Sequence, residues 1–279
     1  QVPSFRYPGV NDTLDQLLQS MCHAPAVLVQ VRSVRGSAPR EVGAWMAVFA
    51  DTVLGTIGGG RLEWDACAHA RTLLGAPPPS VHHQRYALGP SLGQCCGGEM
   101  VLEYRPITAA DAAPLRTTLA PQRMPVALFG GGHVGRALVR VLADLPVQVQ
   151  WFDSRDEIFP QPLPPHVQCE HSDPVQAAVA ELAAGARVLI MSFSHAEDLD
   201  VVAACLQRQR TQADLPFVGL IGSTTKWASF RSRLAARGFS EAELGHVTCP
   251  IGVPGIRDKR PEVIAVAVAA QLLQTLAVT

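Results

Sequence analysis

Val126-Ala127-Leu128-Phe129-Gly130-Gly131-Gly132-His133-Val134-Gly135-Arg136-Ala137-Leu138 is an apolar run of strand type that stops on glycines and resumes as a helical pattern. Gly130, Gly132 and Gly135 stand in the spacing G-x-G-x-x-G, between a strand and a helix, where that spacing has a mechanical meaning. The first glycine permits a tight turn, the second lets backbone approach a phosphate, and the third lets helix and strand pack closely. The helix start adds free N–H groups and the positive end of a dipole. A second strand, residues 147–152, ends on Asp153, 18 positions after Gly135. That is close to the spacing at which a carboxylate reaches a ribose hydroxyl. The competing reading is a glycine turn that serves strand–helix packing alone.

Outward from this stretch the chain alternates strands and helices, the grammar of a parallel sheet covered on both faces. Strands are expected at 166–170, 187–193 and 216–221, and helices at 174–184, 198–208 and from Ser223 to 236, where Gly238 stops the last. Ser240 and Glu243 form a capping box for one more short helix. Pro261 suits the first turn of a final helix over 262–276, apolar on more than one side and so read as buried against the sheet.

The first part of the chain reads differently. Asn11-Asp12 is expected to cap a helix carrying Leu14, Leu17, Leu18 and Met21, followed by a strand at 26–34. Residues 44–50 and 53–57 suggest a hairpin turning on Asp51-Thr52. A helix follows to about 74, then strands at 81–88 and 100–104 and a helix at 108–119. The fold class is therefore α/β: a C-terminal Rossmann-like parallel sheet with helices on both faces, at 123–279, plus a smaller N-terminal α+β domain at 1–122.

At 279 residues the chain can bury a sizeable core. A net charge of −1 and a pI near 6.8 make no electrostatic case for nucleic acid or an anionic membrane. The longest apolar stretch, 263–273, is too short for a bilayer and contains Gln271. No charged-then-apolar leader opens the sequence, which starts on Gln1 in place of Met and leaves room for residues upstream. Seven cysteines, odd in number and scattered, favour a reduced cytoplasmic protein over a disulfide framework.

Three glycine loops punctuate strand ends: Gly58-Gly59-Gly60, Gly97-Gly98 and Gly130-Gly131-Gly132. Each is either a ligand-approach loop or simply a tight turn. Arg61 and Glu63 accompany the first, and Gln94, Cys95 and Cys96 the second. Vicinal Cys95-Cys96 is strained as a disulfide, and no second C-x-x-C pair makes a zinc site. Its thiolates suit a soft metal or a persulfide, and buried packing is the plain alternative. Cys22, Cys67, Cys169 and Cys205 read as packing residues, and Cys249 is open. His195 follows a strand end on the ligand-binding edge and shares it with His133, while Ser194 caps the next helix. Ser223 and Lys226, at a helix opening, either hold an anion or make a charged helix face; Arg231 lies on the same helix. His82 and His83 are adjacent on a strand, so they point to opposite faces and do not pair on a metal.

Several separate stretches resemble the XdhC/CoxI family. In the first domain these are Gly36-Ser37-Ala38-Pro39-Arg40, Gly55-Thr56-Ile57-Gly58-Gly59-Gly60 with Glu63, and Leu92-Gly93-Gln94-Cys95-Cys96-Gly97-Gly98. In the second they are the 129–135 loop, Ile221-Gly222-Ser223 with Lys226, Cys249-Pro250-Ile251-Gly252, and Pro261 with the run that follows it. The resemblance spans roughly residues 10–275. The 255–261 segment places it nearer the xanthine dehydrogenase accessory members than the CoxI branch. In the 193–200 segment only His195 and Leu199-Asp200 carry over.

The resemblance implies a chaperone without turnover of its own. It would bind the molybdopterin-type molybdenum cofactor as cargo, hold it while a cysteine desulfurase supplies sulfur, and insert it into apo xanthine dehydrogenase. Such proteins act in the cytoplasm, often as homodimers. The residues expected to hold the cofactor are Ser37, Arg40, Gly58, Gly59, Gly60, Glu63, Gln94, Cys95, Cys96, Gly97, Gly98, Gly130, Gly131, Gly132, His133, Gly135, Asp153, His195, Ser223 and Lys226. Cys95 or Cys96 would approach the molybdenum. Two rivals use the same residues differently: an NAD(P)-dependent oxidoreductase working through the 130–135 loop and Asp153, and a persulfide or metal trafficking protein working through Cys95-Cys96.

Overall fold

The computed structural model describes residues 10–75, 80–88 and 98–276. The chain divides into two compact units, Gln1–Pro121 and Gln122–Thr279.

Unit 1 is built on an antiparallel sheet of β1 (Ala26–Arg35), β2 (Trp45–Val48), β3 (Val53–Gly55), β4 (His82–Ala87) and β5 (Glu99–Ile107), in the order β3-β2-β1-β5-β4. Because side chains alternate along a strand, β1 feeds two cores. Val27, Val29 and Val31 pack with Leu62, Ala66 and Ala70 of α2 (Gly60–Thr72). Ala26 and Leu28 pack with Leu14, Leu17 and Met21 of α1 (Val10–Met21) and Leu115 of α3 (Ala112–Thr118). Each fully buried leucine in these layers contributes about 1.5–3 kcal/mol.

Three expectations are corrected in this unit. The first helix starts at Val10, so Asn11 and Asp12 lie inside it and do not cap it. The hairpin turns on Ala50-Asp51, closed by the Phe49 N–H donating to Thr52 O at 2.9 Å, one position before the expected turn. The helix expected at 108–119 is a 3-10 turn, Ala109–Asp111, followed by α3. Pro114 explains the break, since it supplies no N–H for a continuous helix.

Unit 2 is a six-stranded parallel sheet of β6 (Met124–Phe129), β7 (Val147–Asp153), β8 (Val167–His171), β9 (Arg187–Ile190), β10 (Phe217–Leu220) and β11 (Val247–Thr248). Its order is β11-β10-β9-β6-β7-β8, so the two halves of the sheet run outward from β6 and β9. This is the doubly wound order, whose switch point lies where β6 meets β9. Residues 126–129 of β6 are all buried, as befits a strand covered on both faces. On one face α4 (His133–Leu142) and α8 (Pro261–Gln274) cover Val126, Leu128 and Trp151. On the other, α5 (His195–Gln212) covers Ala127, Phe129 and Ile190. α6 (Thr224–Ala236) and α7 (Glu241–Leu244) complete the layer, and Ser240 with Glu243 forms the capping box of α7.

Two further readings change here. The helix expected at 174–184 is a 3-10 helix, Val175–Glu181. Buried Arg208 donates to Val179 O (2.7 Å) and Leu182 O (2.8 Å), so these carbonyls find a partner outside any α-helical ladder. α8 does cover the sheet, but Val266 and Leu273 point outward, so its apolar character is only partly used there.

Candidate functional site

The glycines of the 130–135 turn do different jobs. Gly130 has φ +121°, and a Cβ there would lie 2.1 Å from Met191 O, so two constraints demand glycine. A Cβ on Gly135 would lie 2.1 Å from Gly130 O, which brings α4 tight against the turn. The fully buried Trp151 donates its indole N–H to the same Gly130 oxygen at 2.9 Å. Gly132 is the cap residue of α4, with an ordinary φ of −70° and open space where a Cβ would be. No side chain caps α4, so its first-turn N–H groups have no cap partner, the arrangement that suits an anion. His133 is exposed at this end.

Asp153 sits beside the turn, but its carboxylate faces inward, 1% exposed. Oδ2 accepts the Gly131 N–H at 2.6 Å and Arg155 Nη2 at 2.8 Å. Oδ1 accepts the Arg155 N–H at 2.9 Å and its Nε at 2.8 Å. Burial alone would raise this carboxyl. The Arg155 and Gly131 hydrogen bonds outweigh it and hold the group below its ordinary value. Four donors thus occupy the carboxylate whose spacing suggested a reach toward a ribose hydroxyl. Arg155 also lies over the ring of the exposed Phe193, 4.6 Å from its centroid, and Ser154 donates to Glu197 at 2.5 Å.

A second polar corner gathers beyond β9 and β10. Buried Asp198 accepts the Ser192 hydroxyl at 2.6 Å and its N–H at 2.9 Å, and pairs with Lys226 Nζ at 2.6 Å. Lys226 also donates to Ile221 O at 2.9 Å and lies over the Phe230 ring, as His195 does edge-on. The charge of Lys226 is thus balanced within the fold. Ser223 caps α6 by accepting the Lys226 N–H at 3.1 Å, and Ser194 caps α5. Cys249 lies within electrostatic reach of Lys226 and Asp198, and burial pushes its thiol up to about 11.

In unit 1, Gly58, Gly59 and Gly60 all have positive φ and lead into α2. Glu63 closes this loop from inside. Its Oε2 accepts the Thr56 hydroxyl (2.5 Å) and the N–H groups of Ile57 (3.0 Å) and Gly59 (3.1 Å). The Gly58 N–H goes to Thr56 Oγ1. Both glycine loops therefore wrap a carboxylate of the chain itself, Glu63 in unit 1 and Asp153 in unit 2. Arg40 is paired with Glu41 through two hydrogen bonds and reaches Thr56 O. The pairing holds the Glu41 carboxyl down at about 2.

Gly98 is wedged against the turn that carries Ser37, where a Cβ would lie 2.2 Å from Ser37 O. Gln94, Cys95, Cys96 and Gly97 lie outside the described residues. Arg40, Thr56 and Glu63 line a cavity of about 770 Å³ with Gln30, Val42 and Trp45.

Sequence reasoning missed Asp198, Arg155, Phe193, Gln30 and Trp45. Only Arg155 carried a signal, a cation two positions beyond the strand-end acid. Of the cysteines taken as packing residues, Cys67 and Cys205 are buried, whereas Cys22 is exposed. Burial pushes the Cys205 thiol up to about 12 and Cys169 to about 11. Among the described residues no group of three or more His, Cys, Asp or Glu side chains is placed to hold a metal ion. No helix of the described residues is long and apolar enough to cross a membrane.

The strand order, the glycine turn and the uncapped helix start define unit 2 as a Rossmann-type domain joined to an antiparallel α+β unit. Residues 126–272 match the XdhC Rossmann domain, and residues 22–86 match the XdhC and CoxI family. The chain belongs to the XdhC and CoxI family.

It is 27% identical over 256 residues to the uncharacterized protein YqeB of Escherichia coli (strain K12), an alignment covering 90% of this chain and 44% of that protein. The chain thus spans less than half the length of this relative. It also resembles the crystal structure of a xanthine dehydrogenase from Bacillus halodurans, with a TM-score of 0.77 at 19% identity, covering 95% of this chain and 96% of the other. At that identity the likeness establishes the fold.

Proposed function

We propose that the protein holds the molybdenum cofactor as cargo during its sulfuration and delivers it to apo xanthine dehydrogenase. Family membership supports a role in xanthine dehydrogenase maturation. A cysteine desulfurase is the sulfur source in this reading, and the protein works as a homodimer in the cytoplasm. It performs no net chemistry on its own account.

One observation weighs most between this reading and an NAD(P)-dependent oxidoreductase. The acid that would recognise a ribose is consumed by Gly131 and Arg155, while the N–H groups opening α4 remain available to an anion. A phosphate-bearing ligand without a ribose contact suits that arrangement better than a dinucleotide does. Molybdopterin is such a ligand, a flat pterin carrying a phosphate and a dithiolene-bound metal. Gly132, where a side chain would meet nothing, is where a phosphate would approach, and His133 borders it. Cys95 or Cys96 would be the thiolate nearest the metal.

The test is to purify the full chain from a molybdate-replete host, measure molybdenum and oxidised pterin fluorescence, and add the protein to apo xanthine dehydrogenase. Bound molybdenum with recovery of dehydrogenase activity is expected. Micromolar binding of NADH accompanied by its oxidation would overturn the reading in favour of the oxidoreductase. Unchanged cofactor retention and sulfuration after Cys95→Ala with Cys96→Ala would remove the thiol role.

A further inference from the structure

The cavity of unit 1, about 770 Å³, has the size of a small-molecule site, for which roughly 300–1,000 Å³ is usual. Its wall is unsuited to an anion. The charged residues lining it are Arg40, Glu41 and Glu63, one cation against two carboxylates. Arg40 is ion-paired with Glu41 and also donates to Thr56 O, and Glu63 is enclosed by the 56–60 loop. A phosphate entering here would meet a formal excess of negative charge and no unpaired donor cation.

What the wall does offer is flat apolar surface and one amide. Trp45 lies on β2 with its ring edge against the backbone of Gly55, where a Cβ would come within 3.5 Å of the Trp45 ring and 2.7 Å of its carbonyl oxygen. Val42, 58% exposed, stands in the same lining on the loop before β2. Gln30, on β1, donates Nε2 to Gly43 O at 3.3 Å. The amide has a second N–H and an oxygen beyond that bond, a donor and an acceptor for a ligand.

We propose that this cavity binds an uncharged fused-ring heterocycle with an amide-like edge. Gln30 pairs with that edge, and Trp45 and Val42 cover the ring. Pterins and purines share this chemistry. Assigning the ring to the pterin of the cargo rests on the cofactor-holding reading; the pocket chemistry does not.

The full chain is titrated with pterin, hypoxanthine and inorganic phosphate, following tryptophan and pterin fluorescence. The variants are Gln30→Leu and Val42→Lys, the latter at an exposed position where folding is undisturbed and thermal unfolding verifies it. Saturable pterin binding is expected, weakened at least about tenfold by Gln30→Leu, the loss of roughly 1.4 kcal/mol. Val42→Lys should abolish it, and phosphate should not compete.

Saturation by hypoxanthine with no pterin binding would keep the site and assign it to a purine. Binding of neither ring, or equal affinity in all three proteins, overturns the site. If both variants also retain molybdenum at the wild-type level, the cofactor reading survives that failure. If the wild type carries no molybdenum yet binds pterin, the cofactor reading falls and the site stands.

Discussion

Replacing Asp153 with alanine separates a structural acid from a ligand-binding one. The carboxylate is 1% exposed and accepts four hydrogen bonds, one from the buried Gly131 N–H and three from Arg155. Alanine leaves the Gly131 N–H without its acceptor, at a cost of about 1–3 kcal/mol. The charge-assisted bonds of Arg155 add to this, discounted because that guanidinium is 35% exposed and water replaces part of what it loses. Together these give roughly 3 kcal/mol for Asp153→Ala, and about half for Asp153→Asn, which keeps an acceptor for Gly131.

The loss is local, so hydrogen exchange of peptides spanning the 128–136 turn is the right assay. A 3 kcal/mol loss accelerates exchange about a hundredfold if the turn opens by itself. The pH dependence follows from the sign of the shift. The folded carboxyl lies below its ordinary value. Its contribution is therefore complete above the unfolded value, near 3.9, and fades as pH falls through the lower folded one. The difference between wild type and Asp153→Asn should thus be constant around neutrality and shrink in acid. Unchanged protection in Asp153→Ala, or a difference that grows in acid, would refute the reasoning.

Other changes test other parts of the fold. Gly130→Ala, forced to φ +121° against Met191 O, should prevent stable folding, whereas Gly132→Ala should shift stability by no more than about 0.5 kcal/mol, as read by thermal unfolding of both. Arg208→Leu strands Asp214 and the carbonyls of Val179 and Leu182, and should lower the melting temperature by roughly 6–12 °C for a loss of about 3 kcal/mol. Glu63→Ala releases the Thr56 hydroxyl and the N–H groups of Ile57 and Gly59. Proteolytic cleavage within 56–60 should become faster while the rest of the chain keeps its wild-type susceptibility.

Much of this architecture was readable from local chemistry. Buried β6, its glycine turn and the strand–helix alternation after it announce a parallel sheet, because a strand covered on both faces has no room for polar residues. Ser223, Ser240 with Glu243, and Pro261 sit at helix starts because capping depends on a few neighbouring atoms. The failures arise where a distant residue decides. Whether Asp153 faces a ligand or the turn depends on Arg155 and on how near Gly131 comes, and spacing carries neither. The 174–184 segment has a helical composition, yet Arg208, far along the chain, takes its carbonyls. The unit 1 cavity assembles β1, the loop before β2, β3 and the segment after α3, so no single window of sequence outlines it.

On the proposed reading of the protein as a cofactor carrier, Glu63 and Asp153 share a consequence. A loop shaped by its ligand collapses when the ligand departs, and each new arrival must order it again. Here each loop is already folded around an acid of the same chain, so departure leaves its backbone in place. Loading then carries little ordering cost. Empty and filled forms should then show the same amide protection at Ile57, Gly59 and Gly131, with neither loop rebuilt between them.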